Sequence, residues 1–159
     1  MVEVLPAENE NNYEYLYQIK QYAKEAGFVY YSKVSWKKGT FVSNTGRKAK
    51  NTQDIMIFSK GKARNMRYDK KKSDLTGKKC YMSGCNGMLP AMFDVQPVAR
   101  KNKIHQSELP VQLCEEILEY VTYEGEIILD SFAGSGAVGV AALNKNEKLY
   151  SYRNFKRKH

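Results

Sequence analysis

Residues 126–143 read Glu126-Ile127-Ile128-Leu129-Asp130-Ser131-Phe132-Ala133-Gly134-Ser135-Gly136-Ala137-Val138-Gly139-Val140-Ala141-Ala142-Leu143. Ile127 to Leu129 form a short continuous apolar run, the pattern of a strand buried on both faces of a parallel sheet. Asp130 ends the run. Gly134, Ser135 and Gly136 follow as a turn with little side-chain bulk, and Ala137 to Leu143 are small and apolar, suited to a helix packed tightly onto the strand. A strand, a glycine turn and a helix together form a ligand cradle. The turn amides and the helix N-terminus carry partial positive charge, and glycine lets a ligand approach the backbone.

Two cofactor classes compete for such a turn. Gly134, Gly136 and Gly139 fit G-x-G-x-x-G, the dinucleotide fingerprint. A nicotinamide site also wants an acidic residue roughly 20 positions on for the ribose hydroxyls, whereas the chain there reads Lys156, Arg157, Lys158, His159. The longer string Asp130-Ser131-Phe132-Ala133-Gly134-Ser135-Gly136 resembles D-P-F-x-G-S-G, the S-adenosylmethionine loop of the DNA amino-methyltransferases, which methylate adenine N6 or cytosine N4. That resemblance implies S-adenosyl-L-methionine as cofactor, held by Asp130, Ser131, Phe132, Ala133, Gly134, Ser135 and Gly136. A glycine-rich structural turn with no ligand is the plain alternative.

At 159 residues with 42% hydrophobic content, the chain is long enough for one domain, and folding would bury about 70% of its unfolded surface. No apolar run approaches the roughly 18 residues of a membrane helix, and the acidic, polar start shows no signal peptide. A cytoplasmic protein is expected. Cys80, Cys85 and Cys114 are an odd number, which suits reduced thiols better than a disulfide framework. The Cys80/Cys85 spacing lacks a second pair, so no metal site is expected.

The net charge of +9 is unevenly placed. From Lys37 to Lys79 there are fourteen Lys or Arg against three acids, a local charge of +11. Such a stretch is the electrostatic footprint of a polyanion. Beside the cradle it points to double-stranded DNA, with Lys37, Lys38, Arg47, Lys48, Lys62, Arg64, Arg67, Lys70, Lys71 and Lys72 as candidate contacts. A merely solvated basic surface is the other reading.

In chain order, residues 1–10 are expected to fray. Asn11 and Asn12 can cap a helix running to about Ala26, with Tyr13, Leu16, Tyr17, Tyr22 and Ala23 at helical spacing as a core stripe and Gly27 as its stop. Phe28 to Trp36 and Gln53 to Ser59 read as two strands of an antiparallel hairpin with a long basic tip. The run G-F, then W-x-K-G, a basic loop and D-I-M-I-F-S-K-G-K also resembles the methyltransferase family, where two such strands close the far edge of the sheet. Residues 61–100 lack clean periodicity. The family places a target-recognition segment there, in which phosphate contacts set position and base-edge contacts specify sequence.

Residues 103–146 form the cofactor-binding part. Lys103 to Pro110 resembles the family's H-P-T-x-K-P box. His105, Ser107 and Pro110 match or nearly match it, Gln106 stands for a proline and Leu109 for the lysine. The resemblance thereby implies that His105 and Ser107 touch the cofactor. A helix follows, with Leu113, Cys114, Ile117, Leu118 and Val121 on one face. After Leu143 come a turn and a short strand at Lys148 to Tyr152. The resemblance runs from about Tyr15 to Asn146.

The family holds its target amine with [D/N/S]-P-P-[Y/F/W]. Pro6, Pro90, Pro97 and Pro110 are never adjacent, so that box is absent and no catalytic residue is named. In a permuted group of the family the box precedes the cofactor loop. The fold class is therefore expected to be α/β, a partial Rossmann-like methyltransferase domain with an irregular basic insert. The chain is expected to be a truncated or split enzyme, of a restriction–modification system or a mobile element, with a reading-frame change behind its acid-free tail. A complementary N-terminal methyltransferase fragment is its expected partner. A non-catalytic DNA-binding remnant and a nicotinamide-binding protein stay open as alternatives.

Overall fold

The computed structural model describes residues 1–6, 13–39, 51–62, 89–104 and 108–152, with the backbone alone at 71–72 and 79–80. The elements in order are β1 (Val2–Pro6), α1 (Tyr13–Glu25), β2 (Phe28–Lys37), β3 (Thr52–Lys60), β4 (Lys71–Lys72), β5 (Lys79–Cys80), β6 (Met92–Asp94), a single 3-10 turn (Arg100–Asn102), α2 (Val111–Val121), β7 (Ile127–Asp130), α3 (Ala137–Asn144) and β8 (Lys148–Ser151). They group into two compact units, Met1–Asn65 with Leu89–Gln96, and Met66–Met88 with Pro97–His159.

The first unit is built on a four-stranded sheet in the order β1-β3-β2-β6. The expected hairpin is present. β2 and β3 pair antiparallel from Phe28↔Lys60 to Lys37↔Thr52, with a bulge between Tyr30 and Ser32. β3 lies inside the sheet, which accounts for its unbroken burial from Asp54 to Phe58. Leu5, Leu16, Ala23, Met56 and Phe58 form one core cluster, with Ile19 and Phe28 against it. Trp36 is buried, and its indole Nε1–H donates to the Val95 carbonyl at 2.8 Å, satisfying the polar end of a core aromatic.

Two expectations are corrected here. Residues 1–6 are not frayed: β1 pairs antiparallel with β3, and the Met1 amine donates to the Phe58 carbonyl at 3.0 Å, while residues 7–10 and the expected caps Asn11 and Asn12 lie outside the described residues. Val2, Val4 and Leu5 gain burial there, which polar composition alone does not show. The second correction concerns the tyrosines of α1. Tyr13, Tyr17 and Tyr22 are exposed, while Leu16, Ile19 and Ala23 face the sheet. Their i, i+3, i+7 spacing is the narrower stripe, and it leaves each phenol in water.

The insert is not wholly irregular. β6 joins the first unit's sheet parallel to β2, with Trp36↔Phe93 at its centre. β4 and β5 form a small antiparallel ribbon.

The second unit contains the stretch quoted first. β7 and β8 pair parallel, Ile127↔Lys148 to Asp130↔Ser151, and α3 is the crossover between them. Cys114, Leu118, Ala137, Ala141 and Ala142 make its core, flanked by Leu109, Val121, Ile128, Val138 and Leu149. The expectation of a strand buried on both faces is corrected. Ile128 packs on that core, but Ile127 and Leu129 are exposed.

Burial, then the charges of Asp130 and Glu115, push the Cys114 thiol from its ordinary 9.0 up to about 12. The folded value lies above the unfolded one, so the group costs no stability below pH 9.0. As pH rises from there to about 12, the unfolded thiol ionises and the folded one does not. Stability should fall by about 1.4 kcal/mol per pH unit across that window. Comparing urea midpoints of the native protein and Cys114→Ala at pH 7 and pH 10 checks this. A steeper pH loss in the native protein is the expected result.

Candidate functional site

The site is the turn between β7 and α3. The Asp130 carboxylate accepts a hydrogen bond from the Phe132 amide at 3.1 Å, a local side-chain-to-backbone bond that starts the turn. The Gly136 amide donates to the Ala133 carbonyl at 2.6 Å and closes it. Gly134 has φ +51 and Gly136 φ +85, the left-handed region where a side chain is strained. A Cβ on Gly136 would meet nothing within 4 Å, and on Gly134 only the Phe132 carbonyl oxygen at 3.6 Å. Open space therefore lies over both glycines. Gly136 caps α3, whose first intrahelical bond runs from the Val140 amide to the Gly136 carbonyl at 3.0 Å. The amides of Ala137, Val138 and Gly139 precede it, as the orphan donors of a helix start.

Gly139 has a different role from the two turn glycines. A Cβ there would come within 2.8 Å of Leu149 Cδ2. Its bareness lets α3 sit close on β8, the packing task of a third fingerprint glycine. Gly139→Val is expected to cost about 1–3 kcal/mol by overpacking. Denaturant midpoints of the two proteins would show it.

The sequence-predicted cofactor residues Asp130 to Gly136 thus lie in one continuous turn. Ser131 and Phe132 are on the outside, Phe132 at 93% exposure, and Ala133 to Gly136 are half-buried. His105 and Ser107 fall outside the described residues. So do Arg47, Lys48, Arg64, Arg67 and Lys70, and only the backbone of Lys71 and Lys72 is described. Among the DNA candidates, Lys37 pairs with Asp94 at 2.8 Å, Lys38 lies over the Trp36 ring, and Lys62 is exposed. The lysine replaced by Leu109 has a structural consequence, for Leu109 packs into the second unit's core.

Tyr152 was missed by sequence reasoning. Its amide donates to the Asp130 carbonyl at 2.9 Å, and its own carbonyl accepts from the Ala133 amide at 3.3 Å. The residue after β8 thereby braces the turn. Only the parallel register, Asp130 opposite Ser151, reveals the contact. Among the described residues, no group of three His, Cys, Asp or Glu could hold a metal ion, and no helix is long and apolar enough to cross a membrane.

A family model described as DNA methylase matches residues 6–154, reaching beyond the stretch from Tyr15 to Asn146 in which the sequence resemblance was seen. The type II methyltransferase M.BglI of Bacillus subtilis is 36% identical over 53 residues, covering 33% of this chain and 15% of its own length. The crystal structure of the M1.HpyAVI–SAM complex superposes with TM-score 0.70 at 22% identity, over 98% of this chain and 69% of that one. The cytosine-N4-specific PvuII DNA methyltransferase gives TM-score 0.70 at 16% identity, over 97% and 58% respectively. The chain thus spans a small part of the curated relative it matches. The α/β, Rossmann-like methyltransferase fold expected from the sequence is the fold observed.

Proposed function

The chain belongs to the DNA methylase family, and from that membership we propose that it is the cofactor-binding and DNA-facing part of an S-adenosylmethionine-dependent DNA amino-methyltransferase, acting on adenine N6 or cytosine N4. The observation that carries this reading is the Asp130–Gly136 turn, with two left-handed glycines under open space at the start of α3. A small zwitterionic nucleoside fits such a cradle. The orphan amides of α3 suit its carboxylate, Gly134 and Gly136 admit it to the backbone, and the exposed Phe132 ring offers an apolar face. When bound, S-adenosylmethionine supplies an electrophilic methyl group. This chain's residues bind and orient it: Asp130 holds the turn through the Phe132 amide, and Tyr152 holds Asp130 and Ala133 through the backbone.

Methylation of an exocyclic amine further requires the base to leave the duplex and be held by stacking and hydrogen bonds. The sequence has no D-P-P-Y-like box for that task. We infer a split enzyme whose amine-holding box is supplied by a complementary methyltransferase segment. The relation to a type II methyltransferase supports a cytoplasmic role in restriction–modification. The missing box favours one second reading, a DNA-binding form without catalysis. Isothermal calorimetry tests the cofactor assignment: S-adenosylmethionine is expected to bind, and NAD to bind less tightly or not at all. Tighter NAD binding would overturn it.

The basic segment from Lys37 to Lys79 is proposed to contact DNA phosphates. If roughly six cations do so, log affinity falls with log salt at a slope near −5. Replacing Lys70, Lys71 and Lys72 together with Gln should flatten the slope by up to about 3. Fluorescence anisotropy with a labelled duplex across a salt series measures both, and a slope near zero in the parent chain would reject the surface.

A further inference from the structure

We propose that one flank of α1, the stripe Tyr13, Tyr17, Lys20 and Lys24, is a contact surface for single-stranded nucleic acid. Bases stack on its tyrosine rings and phosphates meet its lysines. The surface is built from the first unit alone and holds whether or not the cofactor reading does.

The helix geometry gathers these four side chains. An α-helix turns about 100° per residue, so positions 13, 17, 20 and 24 fall within an arc of about 60°, along a length of about 16 Å. Leu16, Ile19 and Ala23 pack into the core cluster, which turns this arc to the side rather than inward. Tyr13 is 56% and Tyr17 61% exposed, and Lys24 is exposed too. Lys20 is half-buried, with its Nζ 4.7 Å from the centre of the Tyr30 ring. Tyr30 in turn meets the buried Phe58 edge-on at 5.8 Å. This cation–π contact fixes a positive charge midway along the stripe. At the other end the Tyr13 hydroxyl donates to the Glu14 carboxyl at 3.2 Å, which restrains that ring by its polar tip.

The chemistry of the stripe selects its occupant. Proteins that hold single strands combine aromatic rings, on which bases stack without sequence preference, with cations that track the backbone. The stripe offers two of each. The two acids of α1, Glu14 and Glu25, lie about 100° around the helix from it. A closed duplex keeps its bases stacked on one another and leaves the rings nothing to stack on. A protein partner is a poorer match, because lysine is depleted in protein interfaces and half of this stripe is lysine. The family acts on DNA, and taking a base out of the stack opens a strand locally. Tyr15 and Tyr22 supply an internal comparison. They are as exposed, at 52% and 65%, but lie on the other flank of α1, with no lysine of that helix beside them.

The test is fluorescence anisotropy of the full 159-residue chain with a labelled oligothymidylate of about 15 nucleotides. The parent chain is expected to bind it. Tyr13→Gln/Tyr17→Gln should weaken binding at least tenfold, while affinity for a duplex changes less than twofold. Tyr13→Phe/Tyr17→Phe keeps the rings and should stay within twofold of the parent, as should Tyr15→Gln/Tyr22→Gln. Lys20→Gln/Lys24→Gln should flatten the slope of log affinity against log salt by up to about 1.4. Circular dichroism checks that each variant is folded, and if the Gln pair is not, the lysine pair decides. The proposal is overturned if the parent does not bind the oligomer, if the Gln pair binds as the parent does, or if the lysine pair leaves the slope unchanged. It is equally overturned if the Tyr15/Tyr22 pair weakens binding as much, or if duplex and single strand weaken together. A parent dimer in sedimentation velocity that the Gln pair splits also overturns it, assigning the flank to a second copy. Calorimetry with S-adenosylmethionine is indifferent to all of these variants, so the cofactor reading fails or stands separately.

Discussion

Purified by itself and mixed with S-adenosylmethionine and duplex DNA, the chain is expected to transfer no methyl group above background. The chemistry is a displacement at a sulfonium methyl by an exocyclic amine, and it depends on holding amine and methyl in near-attack geometry. Such positioning is worth about 7–11 kcal/mol in well-oriented systems, or about five to eight orders of magnitude in rate. On the proposed reading, the Asp130–Gly136 turn would hold one of the two reactants. The four prolines stand apart in the sequence, and no D-P-P-Y-like group is present to hold the other. Supplying a segment that carries that box should raise methylation from background to a measurable rate. Tritiated methyl incorporation into DNA, with and without the added segment, is the measurement. Robust transfer by the chain alone would refute the split-enzyme reading and require an amine-holding site elsewhere in these residues.

Gly134→Val is expected to abolish S-adenosylmethionine binding. At φ +51 a β-branched residue is strained by roughly 1–3 kcal/mol, and its methyls would fill the space over the turn. The effects act together: the strained turn relaxes away from its closed form, and the relaxed backbone no longer admits a ligand. The nearest atom to a Cβ is the Phe132 carbonyl oxygen at 3.6 Å, an ordinary contact, so global unfolding is not expected. Calorimetry should show no heat of binding where the parent shows some, with a melting temperature lowered by a few degrees. Gly136→Ala provides a contrast. Its Cβ meets open space, so it bears the left-handed strain with little added bulk, and binding should weaken rather than vanish. Equal binding by the parent chain and Gly134→Val would remove this turn from the cofactor site.

The strand, turn and helix of the candidate site were legible in residues 126–143 because their determinants are local. A strand that ends at an acid, a turn that needs two left-handed residues, and a helix of small residues are each specified within a few positions. Asp130 reaches the Phe132 amide two residues on, and Gly136 caps the helix it begins. The β2–β3 hairpin was legible for a similar reason, since β-formers on either side of a basic loop have few alternatives to pairing.

What the sequence by itself determined is the kind of several elements: the strand, glycine turn and helix of β7 and α3, the paired strands β2 and β3, the helices α1 and α2, and where positive charge lies. What only the tertiary structure decided is which face of each element is covered and by what. The run Ile127-Ile128-Leu129 reads the same whether one face is buried or two, and only the packing of α2 and α3 shows that Ile128 alone is taken in. The tyrosines of α1 share helical spacing with Leu16 and Ala23, and only the sheet beneath them selects the smaller stripe. Val2 to Pro6 becomes a strand because β3 offers it an edge, and Tyr152 braces the turn because a parallel register sets it beside Asp130. Each of these depends on a partner distant in the chain. Local periodicity records that a residue prefers to leave water, and the folded arrangement decides against which surface it does so.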